Sequence, residues 1–155
     1  MTYLLAIILT LIISKFMYVL PVHLGSFFVT IIGVMAADVY ALLWVFGKKS
    51  LLNQKFLKRI HLYVGHGLVV LITSGAIMAT SVIGYLLTQP GFIVKMGFVL
   101  ALIINSFVIA KHMLLPVTYP FKELPNKDKI VLFVSGLVSF ISWVGAFIAA
   151  HFLGF

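Results

Sequence analysis

The chain has 155 residues, of which 63% are hydrophobic and only 9% charged. A soluble domain with that balance would lack the polar side chains to cover its surface, so the composition excludes one and fits four or five membrane spans. With no cysteine, thiolate metal sites, disulfides and cysteine nucleophiles are excluded. The formal charge of +8 gathers in two loops, so it reads as an orientation signal in a lipid bilayer and not as a nucleic-acid surface.

Five apolar segments are expected, at about 3–20, 22–47, 60–87, 92–115 and 129–153. The first opens without a basic side chain and has no small-residue cleavage site before Pro21. It reads as a retained short apolar helix, tilted or interfacial. After the second segment come Lys48, Lys49, Lys55, Lys58 and Arg59. The turn Thr88-Gln89-Pro90-Gly91 is neutral, and the next loop sets Lys122, Lys127 and Lys129 against Glu123 and Asp128. This asymmetry puts loops 48–59 and 122–129 in the cytoplasm and Gln89 outside, as in a bacterial inner membrane. Trp44, Tyr85 and the phenylalanines Phe152 and Phe155 are expected as interfacial anchors. The fold class is therefore all-α: one integral membrane domain, a polytopic bundle of four long antiparallel helices plus the short N-terminal helix. There is no internal repeat, glycine-rich nucleotide loop or soluble catalytic domain.

In lipid, small and polar side chains mark the faces that meet other helices. The second segment carries His23, Ser26, Thr30, Gly33, Ala37 and Ala41 at helical spacing, with Asp38 beside them. The third carries His66, Thr73 and Thr80, with Gly67, Ser74 and Ser81 on the adjacent line. The fourth aligns Lys95, Leu102, Asn105, Ile109 and His112, and the fifth Ser135, Ser139, Ser142, Ala146 and Ala149. Counted at about 1.5 Å per residue, Asp38, His66, Asn105 and Ser139 are expected at one level in the inner half of the membrane. Asp38, His66 and Asn105 are the expected buried polar group, because an unpaired carboxylate at that depth is costly.

A b-type haem in a helical bundle needs one or two neutral imidazoles at matched depth, an apolar slot and cations near its propionates. Among the five histidines, His66 and His112 form the expected inner pair, with Lys111 as the cation. His23 and His151 form the outer pair, with Lys95 as the cation. His61 is turned from His66 by about 140° and is expected to lie off that site. The residues leave other readings open. His66 with His112, beside Met113, is a candidate metal site, since thioethers select Cu(I). Asp38 with His66 is a candidate proton-handling pair. A non-enzymatic accessory subunit of a larger membrane complex would use all these side chains only to join helices. Three carboxylates in the whole chain exclude an acidic calcium or magnesium cage.

The elements His23-Leu24-Gly25 with Gly33, Lys48-Lys49, Thr73-Ser74-Gly75, Lys95, Asn105, Pro116 and Ser142-Trp143 occur in that order. In them the chain resembles a group of small bacterial membrane proteins that includes the HemJ-type protoporphyrinogen oxidases and the CopD-type copper-resistance membrane domain. The resemblance implies a four-helix bundle holding haem or porphyrin through His23 and Lys95. The expected function is that of a small cytochrome b-like haem protein in electron transfer or porphyrin handling. Its expected partners are other membrane subunits or a redox protein.

Overall fold

The structure is a computed structural model that describes the backbone of residues 2–80 and 82–152 and the side chains of residues 17–80 and 82–151. Ser81 and the anchors at 152 and 155 lie outside the described side chains. The elements are α1 (Thr2–Val45), α2 (Gln54–Ala79), α3 (Ile83–Leu86), α4 (Pro90–His112), α5 (Leu115–Thr118) and α6 (Asn126–Phe152), with a 3-10 turn at Phe121–Glu123 before α6. Four helical stretches, Met17–Val45, Gln54–Ala79, Pro90–Thr118 and Asn126–His151, are long and apolar enough to cross a bilayer. The protein is an all-α integral membrane bundle.

The first two expected segments are one helix. α1 continues through Pro21, although proline lacks the N–H that would bond the carbonyl one turn earlier. Membrane helices tolerate this, because leaving the helix in hydrocarbon would strand several backbone groups. The helix ends where it needs a left-handed residue: Gly47 has φ +72°, and its N–H donates to the Trp44 carbonyl at 3.0 Å. Glycine takes that conformation without a β-carbon clash. α2 begins six residues before the expected start, at Gln54, because Asn53 Oδ1 accepts the Phe56 N–H at 3.1 Å and caps the helix. Lys55, Lys58 and Arg59 therefore stand on the first turns of α2 and not in a loop.

α1 packs closely on α2, and α4 on α6. Each of the four long helices gives one residue to the central cluster of Val34, Leu71, Leu102 and Trp143. Phe27 ties α1 to α6, stacking on Phe147 with centroids 5.7 Å apart and leaning on Trp143 at 5.9 Å. Outside this core, large apolar side chains such as Met35, Phe107, Phe133 and Phe140 are more than half exposed. That surface is suited to acyl chains and not to water.

At the end that carries the basic residues, the connections are lashed together. The Leu52 N–H donates to the Pro116 carbonyl at 2.8 Å. Trp44 Nε1 donates to the Tyr119 carbonyl at 3.1 Å. Trp44, Leu52 and Leu124 form a second buried cluster. Trp44, expected as an interfacial anchor, is only 3% exposed; its ring is closed in by Phe121. Tyr85, by contrast, is exposed at the opposite end.

Candidate functional site

A groove of about 650 Å³ runs between α2 and α4, with Ser139 and Trp143 of α6 lining it. His61, His66 and Val69 line it on α2, and Leu102, Asn105 and Ile109 on α4. It exists because the close pairings are α1 with α2 and α4 with α6, which leaves the α2–α4 seam open. Its wall is mostly aliphatic, interrupted by two imidazoles, an amide and the Ser106 and Ser139 hydroxyls.

The two histidines are placed contrary to expectation. His61 is half-buried and makes no hydrogen bond to the described residues, whereas His66 is exposed. His66 Nδ1–H donates to the Leu62 carbonyl at 2.6 Å, so its Nε2 carries the free lone pair. The face of α2 that meets α1 is the Gly67–Ser74 line. Thr73 and Thr80, which share the His66 line, are exposed as well. His61 is offset from the Gly67–Ser74 line toward the groove, and His66 toward the rim. The sequence signal for this was present: glycine and serine mark the contact face more reliably than histidine, whose amphipathic ring suits a lipid-facing rim.

The expected inner pair is not assembled. His66 lies twelve residues into α2 and His112 is the last residue of α4, and the Leu52–Pro116 bond holds those two helix ends level. At 1.5 Å per residue the two histidines are offset by about 18 Å along the bundle. No single haem iron or copper ion is bracketed by both. His112 Nδ1–H instead donates to the Val108 carbonyl at 2.8 Å. Among the described residues no group of three His, Asp or Glu side chains is close enough to hold a metal ion together.

The expected polar group of Asp38, His66 and Asn105 is also dispersed. Asp38 is half-buried, one turn from core residue Val34, and has no hydrogen bond to the described residues. Asn105 pairs with α6: its Nδ2–H donates to the Ser135 carbonyl at 2.9 Å, and the Ser135 hydroxyl donates to Asn105 Oδ1 at 2.7 Å. The chain thus satisfies its buried amide between α4 and α6 and leaves the carboxylate without one of these partners.

At the end opposite the basic loops, His23 of α1 is half-buried against α2. The Ser74 hydroxyl donates to the Val70 carbonyl at 2.6 Å. Its single proton being used, Ser74 accepts from His23 Nδ1–H at 2.8 Å, which leaves His23 Nε2 free. Gly75 admits the ring: a β-carbon there would stand 3.3 Å from His23 Cε1. Lys95 of α4 is half-buried at the same end. His151 is at the same end but faces elsewhere. Its ring stacks on Phe147 at 4.3 Å, and its Nδ1–H donates to the Phe147 carbonyl at 2.9 Å. The outer pair of His23 with His151 is replaced by His23 with Ser74.

Comparison with protein-family models, with curated proteins and with solved structures finds no match to this chain. The site therefore has to be read from its own geometry.

Proposed function

We propose that this chain is a small integral membrane protein of a bacterial inner membrane that binds haem or a free porphyrin in the groove between α2 and α4, with His61 as the residue that would hold it. The observation that carries this reading is the groove itself. About 650 Å³ falls within the roughly 300–1,000 Å³ of small-molecule and cofactor sites. Its aliphatic wall suits a macrocycle, and the half-buried His61 ring makes no hydrogen bond to the described residues. Among the described residues only α2 supplies imidazoles to it, and His61 and His66 stand five residues apart on that one helix. The site thus fits one protein ligand to iron and not two imidazoles from facing helices. When bound, haem would supply redox chemistry or bind a small ligand. Porphyrin handling or ligand sensing therefore fits better than electron transfer.

The absorption spectrum of the purified protein, expressed with haem supplementation, tests the reading. A Soret band that survives in His66→Ala and is lost or shifted in His61→Ala is the expected result. A colourless protein would favour an accessory subunit whose α2–α4 face is covered by a helix of a larger complex.

The basic loop end is proposed to face the cytoplasm, on the lysine asymmetry of the loops. The chain has no native cysteine, so introduced thiols report without background. With an impermeant reagent on intact cells, Gln89→Cys is expected to label and Gln54→Cys to stay protected. The reverse pattern would invert the bundle.

A further inference from the structure

Beyond the groove, a second concavity of about 440 Å³ lies at the basic end, where the last turns of α1 meet the first turns of α2. Tyr40, Asn53, Lys55, Phe56 and Arg59 line it. We propose that it is a binding site for the headgroup phosphate of an anionic phospholipid, with Lys55 and Arg59 as the phosphate ligands.

The charge is one-sided. Lys55 and Arg59 stand one helical turn apart on the same side of α2. Among the described residues no carboxylate lines the concavity. A third cation stands at the rim, with Lys49 Nζ 4.8 Å from the centre of the Tyr40 ring. The walls are fixed by contacts of their own. The Asn53 N–H donates to the Tyr40 hydroxyl at 3.1 Å, and the Tyr40 and Phe56 rings meet edge-on at 4.7 Å. Like charges are thus held around a concavity, at the level where a spanning helix leaves the hydrocarbon.

That position distinguishes a lipid from a soluble anion. Arg59 lies five residues inside the start of α2, about 7 Å toward the membrane centre. Phe56, Leu62 and Tyr63 continue from the concavity along the exposed flank of α2, at 39%, 59% and 46% exposure. A phosphodiester between Lys55 and Arg59 would therefore leave its acyl chains against an apolar flank already facing the bilayer. Basic pockets beside spanning helices recognise anionic headgroups in this way, each cation contributing on the order of a tenfold gain or less.

The test uses the full-length protein in mild detergent, with lipid binding followed by native mass spectrometry and by the melting temperature. Phosphatidylglycerol is the probe, phosphatidylcholine with the same acyl chains the neutral comparison, and inorganic phosphate the soluble anion. Retention of phosphatidylglycerol over phosphatidylcholine is expected, together with a raised melting temperature. Both should be lost in the Lys55→Gln/Arg59→Gln double variant, with affinity reduced by about thirtyfold for two cations. That variant should melt like the parent in phosphatidylcholine, which separates loss of the site from loss of the fold. Lys127→Gln, on the other basic segment, should bind normally. Equal binding of the two lipids, or unchanged binding by the double variant, would overturn the proposal. Displacement of the lipid by millimolar inorganic phosphate would also overturn it, in favour of a soluble-anion site.

Discussion

Gly67→Ala is expected to destabilise the bundle, although alanine is the better helix former. A β-carbon at Gly67 would overlap the Thr30 side chain of α1. Thr30 is 1% exposed and is held by its own hydroxyl, which donates to the Ser26 carbonyl at 2.6 Å. Helix propensity favours alanine over glycine by about 0.8–1.0 kcal/mol, whereas an extra carbon in a well-packed contact costs about 1–3 kcal/mol. The obstructing atoms belong to a short, branched, buried side chain that has nowhere to swing. The second effect therefore wins, with a net loss of up to about 2 kcal/mol. Gly25→Ala is the comparison, because a β-carbon there meets nothing within 4 Å. It should leave stability unchanged or raise it by up to about 1 kcal/mol. Adding Thr30→Ala to Gly67→Ala should return part of the loss, since the threonine hydroxyl and methyl would go while its β-carbon, 2.9 Å from the new atom, remains. Helix loss followed by circular dichroism during denaturation in mild detergent reads all three. Equal stabilities of the Gly25 and Gly67 variants would mean that α1 and α2 do not touch at Thr30.

The same seam explains which parts of the bundle were legible from sequence. Small residues at helical spacing identified most of the inner face of α6: Ser135, Ser139, Ser142, Ala146 and Ala149 are all buried, and only the large Trp143 beside them falls outside the stripe. On α1 the stripe through Thr30 and Gly33 was equally informative, because a β-carbon at Gly33 would strike the Tyr63 ring of α2. On α2 the pattern offers two adjacent lines, and the histidine line reads as the inner one. Close helix approach is a steric matter, so Gly67 and Ser74 decided it and His66 did not. Pro21 misled for a related reason. Its missing N–H ends helices in water, but in lipid the neighbouring backbone has no solvent to turn to.

The groove was not legible at all. It follows from which helix pairs approach closely, a property of two faces together and of neither alone. Asp38 is expected to find His66, Asn105 or Ser139, but the Asn105 amide has a better-matched partner. An asparagine can give and accept at once, and the Ser135 hydroxyl and carbonyl offer one acceptor and one donor in reach. A carboxylate could only have accepted.

That reciprocal pair leads to an ordered set of losses. Ser135→Ala removes one of the two bonds and should cost about 0.6 kcal/mol, near the average for interhelical hydrogen bonds in membranes. Asn105→Ala removes both and opens space beside Leu102, so about 1–2 kcal/mol is expected. The loss stays bounded because the freed Ser135 hydroxyl can turn to a carbonyl of its own helix, as Ser106 does toward Ile103 at 2.7 Å. Asn105→Asp should be the worst of the three despite its near-identical shape. Its carboxylate would keep an acceptor for the Ser135 hydroxyl, but an oxygen would replace the amide N–H that faces the Ser135 carbonyl. Asn105 is 6% exposed and Ser135 5%, so the new charge would be poorly hydrated. A central aspartate costs about 2.5–3.5 kcal/mol on insertion scales. Protonation would relieve the charge, so the Asn105→Asp variant alone of the three should regain stability as the pH is lowered. Unfolding of the three variants and the parent in one detergent at two pH values gives the order directly. An aspartate variant as stable as the alanine one at neutral pH would mean that the 105 position is wetted, and that the α4–α6 contact is looser than the paired bonds require.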